Sequence, residues 1–123
     1  MYNLFLDDVR EANTFLQDTR TWVTVRSYNE FVKIITERGV PSHISFDHDL
    51  AWEHYPMNNV KNGSVILDYE NYKEKTGYDC AKWIIEFCMK TNQELPTYQV
   101  HSMNPVGKRN IELILENYKN KNE

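Results

Sequence analysis

The chain has no long hydrophobic run, no excess of positive charge and only two cysteines, and each absence narrows the range of functions. No apolar stretch approaches membrane length, and no basic region followed by an apolar run marks an export signal. We therefore expect a cytoplasmic protein with no membrane partner. The net charge of −4 argues against stable binding to duplex nucleic acid. An anionic ligand would need a local cation, either a metal ion or a few placed arginine and lysine side chains.

The two cysteines are not expected to pair. Cys80 and Cys88 fall in one predicted helix, and their spacing separates them by roughly 12 Å along the helix axis. That distance exceeds disulfide reach, so we expect two reduced thiols of the kind found in protein cores.

What the chain does contain is the composition of an ordinary soluble domain. Hydrophobic residues make up 41% of it and charged residues 26%. A length of 123 residues is enough to bury a core of its own. The sequence shows no internal repeat and no sign of a second domain, so residues 1–123 are expected to form one unit.

Four short segments have the apolar, β-branched and aromatic content that is typical of strands. They are Tyr2–Leu6, Trp22–Arg26, Ile44–Phe46 and Tyr98–Val100. Helical segments lie between or after the later strands, and this order predicts an α/β fold with a small four-stranded parallel sheet flanked by helices.

Three helices are predicted from apolar spacing and from their capping residues. The first follows Ser27, which has Glu30 three residues later in a capping-box pattern. The second begins at Thr76. The third follows Asn104, with Pro105 at the first helical position, where a missing N–H is harmless.

Two segments lack a clear pattern. Residues 9–20 are polar and mixed, so we expect a loop with a reduced first helix, at most a turn near residues 12–16. Residues 51–75 form an irregular insertion rich in aromatic residues, in which Asn62-Gly63 predicts a hairpin turn. A segment of this length inside a compact domain is more often a lid or binding loop than a plain connection, and disorder is the alternative.

Acidic and histidine side chains directly follow three of the predicted strands. These are Asp7 and Asp8 after the first strand, Asp47, His48 and Asp49 after the third, and His101 with Ser102 after the fourth. Because parallel strands end at one edge of the sheet, where α/β proteins bind their ligands, we expect these side chains to converge.

The carboxylates predict a metal site. Like charges about 4–6 Å apart repel by several kcal/mol at an effective dielectric near 20, so such a cluster must take up protons, spread apart or hold a cation. Oxygen ligands favour Mg²⁺ or Mn²⁺ held by Asp7, Asp8 and Asp47. The alternative is that Asp7 and Asp8 only cap the loop and that Asp49 faces solvent.

The histidines His48 and His101 are candidates for proton transfer at a phosphate. Imidazole changes charge near neutral pH, so the pair could divide the roles of general acid and general base. Asp49 would orient a histidine or join the metal. Histidines that are merely hydrogen-bonded at strand ends are the alternative, and we assign no role to His43 or His54.

Further residues are candidates for holding the phosphate. The last helix offers backbone N–H groups and the positive end of its dipole, with Asn104 at the cap and Gly107 keeping the approach open. Arg10 and Arg26 can match phosphate oxygens with a guanidinium fork. Ser102 is a candidate hydrogen-bond donor to the phosphate and a weaker candidate nucleophile. For the helix start, an ordinary cap is the alternative.

In their order along the chain, these segments resemble the family of cyclic-phosphate processing receiver domains. The matching pieces are Leu6–Arg10, Val25–Ser27, Ser45–Leu50, Thr76–Asp79 and His101–Gly107. The resemblance implies a receiver (flavodoxin-like) fold, a metal-binding acidic pocket, and processing of a nucleotide-like ligand that carries a cyclic phosphate.

The resemblance extends to signalling receivers, in which an aspartate pair similar to Asp7 and Asp8 holds Mg²⁺. There, an aspartate similar to Asp47 accepts a phosphoryl group, and a hydroxyl lies in a position similar to that of Ser102. The present chain shows no fifth strand and no lysine after it, and its first helix is reduced. Both departures weaken the signalling interpretation. Ala51, followed by a long insertion, stands where the family pattern has glycine, and this departure leaves the lid geometry and the identity of the ligand open.

His48 and His101, which are additions to the pattern of a signalling receiver, favour hydrolysis. The sequence thus predicts a metal-dependent phosphoesterase that acts on a cyclic or terminal phosphate of a nucleotide-like ligand, with aromatic residues of the insertion as candidates for stacking on a base. Two alternatives stay open: a receiver phosphorylated on Asp47, and a module that sequesters a nucleotide without turning it over. The oligomeric state is not predicted.

Overall fold

The computed structural model describes residues 2–12 and 21–121. Its elements in chain order are β1 (Asn3–Leu6), β2 (Trp22–Val25), α1 (Tyr28–Arg38), β3 (His43–Phe46), β4 (Val60–Lys61), β5 (Ser64–Val65), α2 (Gly77–Thr91), β6 (Thr97–Val100) and α3 (Pro105–Lys121). The predicted strands and helices are present, with ends that differ from the predicted ones by about one residue.

The main sheet has four strands, all parallel, in the order β2-β1-β3-β6. Leu6 is paired with Phe46, and Phe46 with Val100, so that β1, β3 and β6 stop at the same level. This register determines which side chains meet at the carboxyl edge of the sheet.

A single hydrophobic cluster joins the sheet to the three described helices. It contains the strand residues Leu4 and Ile44, together with Ile35 of α1, Ile84 of α2 and Ile111 of α3, all fully buried. Burying such side chains stabilises the fold by about 1.5–3 kcal/mol each. By packing the helices against the sheet, the cluster holds the edge of the sheet in place. Both cysteines are buried and free, as the sequence predicts.

The helix starts follow the predicted capping residues. The Ser27 side chain accepts a hydrogen bond from the backbone N–H of Glu30 at 3.2 Å, and Thr76 with Asp79 forms a complete capping box. In α1 the Glu30 carboxylate accepts from the N–H of Arg26 at 2.7 Å, one residue earlier than a capping box would have it.

The insertion of residues 51–75 has a defined path built from local turns. Two short 3₁₀ turns, Trp52–His54 and Pro56–Asn58, precede the antiparallel pair β4–β5. The hairpin turn predicted at Asn62-Gly63 is confirmed: both residues have positive φ, 52° and 80°, a conformation that suits asparagine and glycine.

The α/β architecture with its four-stranded parallel sheet agrees with the predicted receiver-like fold. Within residues 2–12 and 21–121 no fifth strand joins this sheet, also as predicted. The reduced first helix predicted near residues 12–16 falls almost entirely outside the described residues. No helix in the described ranges is both long and apolar enough to span a bilayer.

Candidate active site at the sheet edge

Three strand ends bring Asp7, Asp47 and His101 together. The backbone pairing extends one residue past the strands, because the N–H of Asp47 donates to the carbonyl of Leu6 and the N–H of His101 donates to that of Phe46, both at 2.9 Å. One ligand atom from each of the three side chains lies within 4.8 Å of the others. The three residues occupy equivalent positions in the register, so their side chains meet as the sequence predicts.

A small pocket of about 80 Å³ opens beside this group. It is lined by Asp7, Asp8, Val9, Arg10, Asp47, Asp49, Tyr55, Pro56 and Met103. Four carboxylates face one arginine in this lining, so the pocket has an excess of negative charge. A water molecule occupies roughly 30 Å³, so the space suits an ion and one small group.

Asp7 is fully buried, and its carboxylate is held from several sides. One oxygen accepts from the backbone N–H groups of Val9 and Arg10 at 3.0 and 2.8 Å, and the other accepts from Nε2 of His101 at 3.0 Å. Burial by itself would raise the pKa of Asp7, but these hydrogen bonds outweigh it and hold the pKa below its usual value. Asp7 is therefore a fixed negative charge in the pocket.

The pKa values of Asp47 and Asp8, two carboxyl groups beside Asp7, are shifted in the opposite direction. Burial, with the negative charges of Asp7, Asp49 and Asp8, raises the pKa of Asp47 to about 8. Burial and the charge of Asp7 also raise the pKa of Asp8. The protein alone therefore resists full ionisation of this cluster, and a hard divalent cation, for which carboxylate oxygens are suitable ligands, would relieve the repulsion.

The two candidate arginines differ in position. Arg10 lines the pocket, with Nη1 at 3.6 Å from Oδ2 of Asp7. Arg26 instead holds the loop after β1: its guanidinium donates to the carbonyls of Asp7 and Arg10 at 3.1 and 2.6 Å and pairs with Glu11. These contacts favour Arg10 as the phosphate ligand and Arg26 as a support for that loop.

His101 lies against Asp7 in one orientation. A carboxylate can only accept, so Nε2 carries the proton that it shares with Asp7. Nδ1 lies 2.7 Å from Oγ of Ser45. The ring stacks on Phe5, with centroids 4.6 Å apart and planes inclined by 5°. His101 can thus orient Asp7 and exchange a proton through Nε2, and it could bind a metal ion there only if that nitrogen gives up its proton.

His48 lies behind the pocket. Its side chain is fully buried, with Nδ1 at 2.7 Å from Oδ1 of Asp49 and Nε2 at 2.8 Å from the hydroxyl of Tyr69. With the Asp49 carboxylate as acceptor, Nδ1 carries the proton and Nε2 accepts from Tyr69. These partners favour an action of His48 through Asp49 over the predicted direct exchange with a ligand.

The start of α3 packs directly on His48. A Cβ atom at Gly107 would lie 2.3 Å from Cγ of His48, so the ring requires glycine there. The N–H of Gly107 donates to Oδ1 of Asn104 at 3.0 Å, while Nδ2 of Asn104 donates to Asp49 at 3.0 Å and to the carbonyl of His54 at 3.3 Å. These contacts favour a role for Asn104 and Gly107 in supporting the Asp49–His48 pair. They do not favour the predicted role of the two residues in binding phosphate.

Ser102 forms part of the turn into α3. It is buried, and its hydroxyl accepts from the N–H of Asn104 at 3.1 Å. The next residue, Met103, does line the pocket. The observed contact of Ser102 therefore shapes the turn that brings Met103 to the pocket, and its predicted contact with phosphate stays a prediction.

His54 received no role from the sequence, yet it is fully buried behind the same site. Its Nδ1 accepts from the backbone N–H of Leu50 at 2.9 Å, and its Nε2 donates to the carbonyl of Glu74 at 2.6 Å. Burial lowers the pKa of His54. The ring ties both ends of the insertion together next to the acidic pocket.

Tyr69 and Asn110 also belong to the network without having been predicted. The amide of Asn110 donates to the hydroxyl of Tyr69 at 2.9 Å, which leaves the hydroxyl proton for Nε2 of His48. Burial raises the pKa of Tyr69, so its hydroxyl stays protonated as a donor. A continuous hydrogen-bonded series thus runs from α3 through the insertion and His48 to Asp49 at the pocket.

Comparison with known proteins identifies a family. The family model described as "Cyclic-phosphate processing Receiver domain" matches residues 2–117. The searches of curated proteins and of solved structures returned no match. The matched range includes all three strand ends and the whole insertion.

Proposed function

The chain belongs to the family of cyclic-phosphate processing receiver domains, and from this premise we propose that it hydrolyses a cyclic or terminal phosphoester in the acidic pocket, in a metal-dependent reaction. The observation that carries the proposal is the convergence of four carboxylates and Arg10 on one small pocket at the sheet edge. A divalent cation would relieve the repulsion between these carboxylates, and a phosphate would supply the remaining oxygen ligands of that cation.

A divalent metal ion fits the donors that this chain offers. Asp7, Asp8 and Asp47 provide oxygen atoms of the kind that Mg²⁺ and Mn²⁺ bind, and Nε2 of His101 lies beside Asp7 and Asp47. When bound there, such an ion polarises the phosphoryl group and lowers the pKa of a bound water.

The residues of the chain bind the phosphate and move protons. Arg10 neutralises a phosphate oxygen from the pocket wall. As water forms its bond to phosphorus, Asp49 takes the water proton, and the hydrogen bonds from His48 and Asn104 hold its carboxylate in place. The bond from phosphorus to the leaving oxygen breaks, and His101, protonated on both ring nitrogens with its Nδ1–H donated to Oγ of Ser45, gives that oxygen the proton from Nε2.

A turnover panel tests this function. Cyclic nucleotides, 2′,3′-cyclic phosphates and phosphate monoesters are incubated with the protein and Mg²⁺ or Mn²⁺, and products are separated by chromatography. We expect at least one member to be hydrolysed, with strong loss of rate in Asp47→Asn and His101→Ala. His43→Ala is the control, because His43 pairs with Thr97 and Gln99 away from the pocket. No turnover of any member would refute the enzyme.

A second candidate, a phosphorylated receiver, is favoured by one observation: Asp47 itself lines the pocket between other carboxylates. Incubation with a small phosphodonor and Mg²⁺, followed by intact-mass measurement, separates it from the hydrolase. A phosphoryl adduct on the wild type that is missing in Asp47→Asn would support the receiver. Tight binding of a nucleotide that is recovered unchanged would instead favour a sequestering module.

A further inference from the structure

We propose that the insertion forms a second subsite, which binds the base of a nucleotide while its phosphate occupies the acidic pocket. This inference rests on the proposed function and deepens it, because it identifies the ligand as a nucleotide whose base carries an amino group. It depends on a groove, an aromatic pair and a charge pattern that the phosphate chemistry does not use.

The volumes indicate that a ligand extends beyond the acidic pocket. That pocket measures about 80 Å³, whereas sites for drug-sized ligands measure about 300–1,000 Å³. A groove of about 450 Å³ lies in the insertion. Its lining consists of Trp52, Glu53, Asn58, Asn59, Val60, Lys61, Ile66, Asp68, Asn71 and Tyr72. The groove has room for an aromatic base, and the pocket does not.

One aromatic pair connects the two spaces. Tyr55 lines the acidic pocket and Trp52 lines the groove. Their rings meet edge to face, with centroids 5.7 Å apart and planes inclined by 65°. A ligand that reaches from the pocket past Tyr55 therefore arrives at Trp52, as a phosphate joined to a base through a sugar would.

The groove offers apolar surface to a flat ring. Trp52 is 67% exposed although it is the largest kind of side chain, and Val60 and Ile66 of the same groove are 56% and 50% exposed. Exposed apolar groups gathered in one groove are typical of a binding surface. A base stacked on the indole would cover this surface, and stacking accepts any base because each has a π-face.

The charges in the groove favour amino groups over further phosphates. Glu53 and Asp68 contribute carboxylates, against the single cation of Lys61. One oxygen of Asp68 accepts from Nδ2 of Asn71 at 2.8 Å, and its other oxygen is an acceptor suited to an exocyclic amine. A second phosphate in this groove would be repelled, so the ligand has the charge of a nucleoside monophosphate or its cyclic ester.

Calorimetric binding in the presence of Mn²⁺ tests the subsite, with all proteins carrying Asp49→Asn, which removes the carboxylate that takes the water proton and so keeps the ligand intact. The probes are adenosine 2′,3′-cyclic phosphate, its uridine counterpart and glycerol 1,2-cyclic phosphate, which has no base. We expect the adenosine compound to bind on the order of tenfold tighter than the glycerol compound, which is the scale of one stacking contact. Trp52→Ala should remove that difference and Trp52→Phe should retain most of it.

Matched variants separate stacking from general damage. Met89→Ala changes another exposed apolar side chain, on α2, and should change none of the affinities. Asp68→Asn should weaken the adenosine compound and leave the uridine compound unchanged, because uracil has no exocyclic amine.

The outcomes distinguish the subsite from the proposed function. If the base-free compound binds as tightly as the adenosine compound, or if Trp52→Ala leaves their ratio unchanged, the subsite is refuted and the phosphate site stands. If none of the three compounds binds with Mn²⁺, the site for cyclic phosphates is refuted and the subsite falls with it.

Discussion

Asp47 shows how strongly the site depends on its charges. Its pKa is raised from 3.8 to about 8 by burial and by three neighbouring carboxylates. A pKa raised on folding means that the folded protein binds a proton that the unfolded chain has already lost. The contribution of Asp47 to the free energy of unfolding is therefore expected to fall as pH rises from about 4 towards 8.

This shift gives a stability prediction. Without metal, the unfolding temperature of the wild type should fall relative to that of Asp47→Asn as pH rises towards 8, so that Asp47→Asn is the more stable protein at pH 8. Addition of Mg²⁺ should stabilise the wild type most at the alkaline end, where the proton no longer competes. Parallel pH profiles for the two proteins would contradict the assignment.

Gly107 is a residue whose role only the folded chain reveals. Glycine either permits an unusual backbone angle or lets another group approach closely, and here the group is the ring of His48. We expect Gly107→Ala to lower the free energy of unfolding by about 1–3 kcal/mol, because overpacking forces the ring to move. Denaturant unfolding measures this loss. The control is Val106→Ala at a more exposed neighbour, and equal effects of both variants would contradict the role.

Among the elements, the insertion is more than a covering loop, since Tyr69 reaches the buried Nε2 of His48. Tyr69→Phe removes one hydroxyl and leaves that nitrogen unpaired, which costs about 1–3 kcal/mol of stability. It should also reduce turnover, because His48 holds Asp49.

Tyr72→Phe is the matched control for Tyr69→Phe. The Tyr72 hydroxyl lies in the same insertion and bonds to Asn59 and to the N–H of Asp68, away from His48. This variant should lose stability and keep its rate constant for turnover. If both variants lower that rate constant equally, the series from Tyr69 to Asp49 has no part in the chemistry.

The strand ends were predictable from the sequence because a parallel sheet imposes a common edge. Register also explains why the two histidines differ. His101 follows β6 as Asp7 follows β1 and Asp47 follows β3, so these three side chains meet. His48 comes one residue later, where alternation turns the side chain the other way. This difference between the two histidines can be deduced from the sequence only once the register of the strands is known.

The helix caps were predictable as local signals, whereas the supporting network was not. Asn104 was identified as a cap from its place before Pro105, and its amide does bond to Gly107. Its second contact, with Asp49, joins residues that are far apart in sequence. The same holds for Tyr69 with Asn110, since no local pattern indicates which tyrosine of an irregular insertion turns inward.

At the scale of the whole molecule, the fold gathers part of the negative charge of an acidic chain at one site. The net charge is −4, and four carboxylates of the described residues gather at one pocket whose framework is the rigid sheet edge. The composition predicts an anionic protein, and the parallel topology predicts that the side chains after the strands meet at one edge of the sheet. The size of the pocket and the size of its neighbouring groove depend on the path of the insertion. The sequence of the insertion has no periodic pattern from which that path could be predicted.

The central claim is that the three strand ends form a divalent cation site for phosphate chemistry. Calorimetric titration of Mn²⁺ into the protein tests it most directly. We predict saturable binding of one ion per chain, weakened by more than about tenfold in Asp47→Asn, since even changes around metal ligands cost that much. Asp68→Asn, which removes an acidic charge outside this pocket, should bind as the wild type does. Absence of saturable binding, or equal affinity in the wild type and Asp47→Asn, would contradict the claim.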